Sequence, residues 1–230
     1  LSQAEQTPYQ TLFDDGLVKL RYYPPLTESA IPLSDGTIVP VSQTTQRTPL
    51  VLVAPLAVNM LIYDLFPQRS LVRYLRARGF ELYMVDWGRP GRYHNHLSLS
   101  SYFADYLPKL LVHVRQHSGE QKLSLHGWSF GGLFSLCYAA LGNDPDISNL
   151  VLIGAPTDYH RNGALGGQYR ALSRRAKWIR KRTGLRIHDV PADLLRSPGW
   201  VNSLAFKLTN PIGSLQGYWS LMKNLSLIHI

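Results

Sequence analysis

The sequence predicts an α/β fold: a mostly parallel sheet with helices on both faces and a helical cap. Three observations predict it. The runs Leu50-Val-Leu-Val-Ala54 and Asn149-Leu-Val-Leu-Ile-Gly154 are continuously apolar, as strands buried on both faces are. Strand-like and helix-like patterns alternate between them, which implies right-handed crossovers in a parallel sheet. A Gly-rich turn at Gly127-Trp-Ser-Phe-Gly-Gly132 joins a short apolar run to a helical pattern rich in small residues.

The elements follow in order. Leu17 to Tyr23 alternates and is rich in β-formers, so it reads as an entry strand ended by Pro24-Pro25. Ser34 to Thr37 is a turn before a short strand near Ile38–Val41. The strand at Leu50–Ala54 leaves through a loop, Pro55 to Asn59. Ser70 to Arg78 is predicted helical, with Gly79 ending it. Phe80 to Asp86 is the next strand and Trp87 to Gly91 its exit loop. Ser101 to His117 places Phe103, Tyr106, Leu110 and Val114 at helical spacing, and Ser118-Gly119 closes it. Lys122 to His126 is the strand before the turn, Leu133 to Leu141 the helix after it, and Asn149 to Gly154 a further buried strand. Active sites in such sheets lie beyond the carboxyl ends of the strands. Ser129, residues 55–59, residues 86–91 and residues 155–160 all fall there.

At 230 residues the chain can bury one good core with an appendage. An apolar content of 45% with 17% charged residues excludes a disordered chain. The single cysteine, Cys137, excludes an intramolecular disulfide framework and reads as a small core residue of the helix after the turn. That usage fits a reducing, cytoplasmic setting. No apolar stretch approaches the roughly 18 residues of a membrane span. The net charge of +9 is concentrated: nine Lys or Arg and no Asp or Glu lie between Arg161 and His188, whereas the rest of the chain holds 15 of each sign. Such a field draws anions. These boundaries suggest a core at residues 1–160, a basic helical cap at 161–225, and at 226–230 the start of further core or an artefactual end.

The chemistry concentrates at Ser129. A strand, a G-x-S-x-G turn and a helix make the nucleophile elbow of α/β-hydrolases. The serine must sit at a strained backbone conformation so that its Oγ projects above the sheet, and Gly127 and Gly131 leave room for the tight crossing. The helix then points its N-terminus at an oxyanion, to which the Phe130 N–H donates.

Four segments also resemble the polyhydroxyalkanoate synthase family of α/β-hydrolase-fold proteins, most closely the shorter synthases that pair with a second subunit. They are Tyr63-Asp-Leu-Phe-Pro-Gln-Arg-Ser-Leu-Val-Arg73, Gly79-Phe-Glu-Leu-Tyr-Met-Val-Asp-Trp-Gly-Arg-Pro90, Gly127-Trp-Ser-Phe-Gly-Gly-Leu-Phe-Ser-Leu-Cys-Tyr138 and Asn149-Leu-Val-Leu-Ile-Gly-Ala-Pro-Thr-Asp158. The resemblance implies covalent acyl transfer from coenzyme A thioesters, with a second synthase subunit or a homodimer as partner and no cofactor. It also marks two departures. The family has cysteine at the elbow centre where this chain has Ser129. An alkoxide needs a general base to form at neutral pH and makes an oxygen ester, which favours hydrolysis or simple acyl transfer over polymerisation. The family's acid and histidine follow the cap on later strands, and no such segments occur before Ile230. The expectation is a C-terminal truncation, and a chain inactive by itself.

The remaining candidates are weaker. The second oxyanion donor is expected from the loop after Leu50–Ala54, at the Leu56 N–H. Asn59 either lines the site or stabilises its turn. Asp158 ends a strand where some α/β-hydrolases place their acid; capping the first turn of the cap is the competing role. Asp86, beside Trp87, reads as a structural hydrogen-bonding group. Histidines occur at 94, 96, 113, 117, 126, 160, 188 and 229, and none is singled out as the base. His113 and His117 lie one turn apart but lack further ligands in order, so no metal site is predicted. Arg174, Arg175 and Arg180 are candidate anion-binding residues, toward coenzyme A phosphates, an anionic lipid surface or a partner protein. No nucleic-acid motif accompanies the charge. The function expected is acyl transfer on hydroxyacyl esters or thioesters through Ser129. The alternatives are a carboxylesterase with a local triad and a non-catalytic binding protein of the same fold.

Overall fold

The structure is a computed structural model that describes residues 7–56, 58–158, 161 and 163–185. The chain divides into two compact units, Leu1–Arg170 and Ala171–Ile230. Most of the expected cap, the segment 226–230, and His160, His188 and His229 lie outside the described residues.

The first unit is built on a six-stranded sheet ordered β1-β2-β8-β5-β9-β10. Strands β1 (Gln10–Asp14) and β2 (Lys19–Tyr23) run antiparallel, and β2 is antiparallel to β8 (Leu82–Asp86). From β8 the sheet is parallel through β5 (Leu50–Val53), β9 (Leu123–Trp128) and β10 (Ile147–Ile153). Every residue of β5 is buried, as its unbroken apolar sequence requires at the centre of a sheet covered on both faces. Two small hairpins lie apart from this sheet: β3 (Ala30–Pro32) with β4 (Ile38–Pro40), and β6 (Asp64–Phe66) with β7 (Arg69–Ser70).

Helix α1 (Leu71–Ala77) starts at Ser70, whose Oγ accepts the Arg73 N–H at 3.0 Å. The next predicted helix is two segments, a π-helical turn at Ser101–Tyr106 followed by α2 (Leu107–Ser118). Leu107, Leu110, Leu111 and Val114 form the buried stripe of α2 at helical spacing. Helix α3 (Phe130–Leu141) buries Gly131, Gly132, Phe134, Ser135 and Tyr138. Above α3, Tyr102 stacks on Phe134 with centroids 5.2 Å apart, and Trp87 meets both rings edge-on. Phe130, the residue after Ser129, meets this block through Phe134, with centroids 6.1 Å apart.

The short strand expected near Ile38–Val41 is β4, which pairs with β3. Two expectations are corrected. Cys137 is half-buried. Strand β10 is an edge strand whose Val151, Leu152 and Ile153 are 46%, 37% and 43% exposed. Its apolar run signals burial on both faces, but among the described residues β9 flanks it on one side and α3 packs on one face.

Helix α4 (Gly163–Thr183) crosses the boundary between the units; from Arg174 onward its residues are exposed.

Candidate active site

Strand β9 ends at Trp128 and α3 begins at Phe130, so Ser129 alone makes the crossing. Its backbone sits at φ 53° and ψ −121°. This is the conformation of the first central residue of a type II′ turn, a region that side chains bearing a Cβ rarely enter. Two bonds hold it there. The Ser129 N–H donates to the Ile153 carbonyl at 2.8 Å, and the Ser129 carbonyl accepts the Leu133 N–H at 3.1 Å, opening α3. Ser129 itself is partly exposed.

The glycines on either side are required by proximity. A Cβ on Gly127 would lie 2.5 Å from the Gly132 Cα, and one on Gly131 would lie 2.5 Å from the Ala54 carbonyl oxygen. The first turn of α3 therefore presses against the end of β5 and the start of the loop expected to supply the second oxyanion donor. That loop is anchored from above: the buried Trp87 indole N–H donates to the Ala54 carbonyl at 2.7 Å. Pro55 follows with a fixed φ, so Leu56 leaves from a stiff stem. Phe130 is the first residue of α3 and its N–H has no acceptor within the helix. Trp87 is not among the residues the sequence singles out; its signal is the segment Asp86-Trp-Gly-Arg-Pro90.

Other expected residues take local roles. Asn59 caps the short turn Met60–Ile62, its Oδ1 accepting the Leu61 N–H at 3.1 Å. Asp86 accepts the Gly88 N–H at 3.0 Å and pairs with the Arg21 guanidinium at 2.5 Å. The Asp158 carboxylate accepts the Arg161 N–H at 3.2 Å and faces the same residue's guanidinium at 3.6 Å. A cavity of about 160 Å³ opens where the loops after β5 and β8 meet, lined by Arg21, Asn59, Met60, Asp86, Gly88 and Arg89 among others.

Among the described residues no histidine hydrogen-bonds Ser129. The His94 Nδ1 accepts the Gly91 N–H at 3.0 Å, the His117 Nδ1 lies 2.8 Å from the Tyr83 hydroxyl, and His113 packs on Phe13. His126 is half-buried on the sheet face opposite α3, and its Nδ1 is buried without a partner. Burial holds its imidazole below the ordinary histidine range, so it is neutral at neutral pH. Arg174, Arg175 and Arg180 stand exposed on α4. Among the described residues no group of three or more potential ligands could hold a metal ion.

A parallel sheet with a strained serine at a strand-to-helix crossing defines a class. The family model described as the alpha/beta hydrolase fold matches residues 57–185, and the chain belongs to that family. Among its sequence relatives are polyhydroxyalkanoate polymerases. The chain is 33% identical over 159 residues to the poly(3-hydroxyalkanoate) polymerase subunit PhaC of Synechocystis, a match covering 69% of this chain and 38% of that one. The subunit of the same name from Haloferax mediterranei is 31% identical over 160 residues, covering 70% and 29%. The one from Allochromatium vinosum is 34% identical over 114 residues, covering 50% and 32%. The matched region thus spans well under half the length of these relatives.

Proposed function

We propose that this protein is an acyl-transfer enzyme acting on hydroxyacyl esters or thioesters, with Ser129 as its nucleophile. The Oγ attacks the substrate carbonyl carbon and its proton passes to a general base. The carbonyl oxygen becomes an oxyanion held by the Phe130 and Leu56 N–H groups. The tetrahedral intermediate then expels the alcohol or thiol, which takes up the proton, and leaves an oxygen ester on Ser129. Water or a second hydroxyacyl group releases the acyl chain.

The observation that carries this reading is the positive φ of Ser129 at the start of α3. Such strain is retained where a side chain must be aimed, and the polymerase relatives supply the acyl class. A triad built on Asp158 draws less support, because that carboxylate is turned to Arg161. The test is thiol release from a 3-hydroxyacyl thioester, measured with the full-length protein. Ser129→Ala is expected to lower it by about 10³-fold or more. Turnover equal to the unmodified protein in that variant refutes the nucleophile.

A further inference from the structure

Helix α4 is not accounted for by acyl transfer. Between Arg170 and Arg182 it bears seven Lys or Arg residues and no acidic one, so no i,i+4 ion pair neutralises it. The charges are ordered around the helix. Arg174, Lys177 and Lys181 follow one another at i, i+3 and i+7, with Arg175 and Arg182 continuing the same basic arc. Leu172, Ala176 and Ile179 recur at i, i+4 and i+7 on another side, and Leu172 and Ile179 are 66% and 45% exposed. Trp178 is 57% exposed within the basic arc, with the Arg182 guanidinium 4.7 Å above its ring.

We propose that α4 is a surface-docking helix for anionic lipid bilayers. The charge sign selects an anionic partner, and the exposed apolar stripe selects one that also offers an apolar layer. Polyphosphate backbones satisfy the first requirement and not the second. A bilayer containing acidic lipid satisfies both: the guanidinium and ammonium groups meet phosphates, while Leu172 and Ile179 enter the acyl boundary. An indole beside a guanidinium suits the headgroup layer. Among the described residues no helix is long and apolar enough to cross a membrane, so α4 lies along the surface. This inference is independent of the role of Ser129.

The test uses the whole chain and two vesicle preparations, phosphatidylcholine alone and phosphatidylcholine mixed with phosphatidylglycerol. Co-flotation is expected only with the acidic vesicles, weakening as salt rises. A blue shift in emission should accompany it and be absent in Trp178→Phe. Each basic residue near such a surface strengthens binding about fivefold. Reversing two charges with Arg174→Glu and Lys181→Glu is therefore expected to lower partitioning by about a hundredfold or more. Leu172→Ser with Ile179→Ser keeps every charge and is expected to abolish the blue shift and weaken binding at least tenfold. Failure to bind acidic vesicles overturns the proposal. So does unchanged binding in the two-serine variant, or binding to duplex DNA tighter than to acidic vesicles.

Discussion

Replacing Ser129 by glycine and, separately, by alanine separates the strain at this residue from its chemistry. Both changes remove the Oγ, so both are expected to abolish acyl transfer. They differ in the Cβ. At φ 53° and ψ −121° a residue with a Cβ is destabilised by about 1–3 kcal/mol. Glycine escapes this, but loses roughly 0.5–1 kcal/mol to the greater freedom of the unfolded chain. Ser129 is only partly exposed, so the lost Cβ contacts offset a few tenths more. The net expectation is that Ser129→Gly is more stable than Ser129→Ala by about 1 kcal/mol. With a urea slope of about 2–3 kcal/mol/M, this moves the midpoint up by about 0.4 M. The transition of the sheet-bearing unit is followed through its buried Trp87. A glycine variant less stable than the alanine variant refutes the claim that the elbow is strained, and with it the structural argument for a nucleophile.

Three further outcomes follow from the same geometry. Trp87→Phe preserves much of the ring contact with Tyr102 and Phe134 but orphans the buried Ala54 carbonyl; a loss of about 1–3 kcal/mol in urea denaturation and slower acylation of Ser129 are expected. The Asp144 carboxyl is raised by burial but more strongly lowered by the Tyr138 hydroxyl, the Arg115 guanidinium and the Asp146 N–H, and its net value lies below the usual aspartate range. Its stabilisation is therefore complete above the unfolded value of about 3.9 and fades as pH falls through the folded one; Asp144→Asn should flatten that acid limb in thermal melts. His126, held below its ordinary range by burial, contributes stability above about pH 6.5 that fades as pH falls toward its folded value. His126→Leu should remove this slope, which melting temperatures between pH 5 and 7 would report.

The parts of the fold legible in the sequence are those where local pattern and final environment agree. Leu50–Val53 reads as a buried strand and is one, because the central position in a parallel sheet leaves neither face to solvent. Ser129 was legible because strand, glycines and helix constrain one another within a dozen residues. Strand β1 was missed: Gln10–Asp14 is mostly exposed, pairs along one edge and contains a register shift, so it lacks an alternating pattern. The π-helical turn at Ser101–Tyr106 keeps the apolar spacing of an α-helix and so is invisible to periodicity. The role of Trp87 depends on a hydrogen bond across 33 residues, which no local pattern encodes. The exposure of β10 was misread because an apolar run reports what a strand can bury, and not what covers it.

The central claim is that the Ser129 hydroxyl is an activated nucleophile, and the most direct measurement is peptide mapping of the full-length protein after treatment with a fluorophosphonate. One adduct on the peptide bearing Ser129, absent from Ser129→Ala, is the expected result. No adduct, or one at Cys137 or another residue with Ser129 unmodified, contradicts the account.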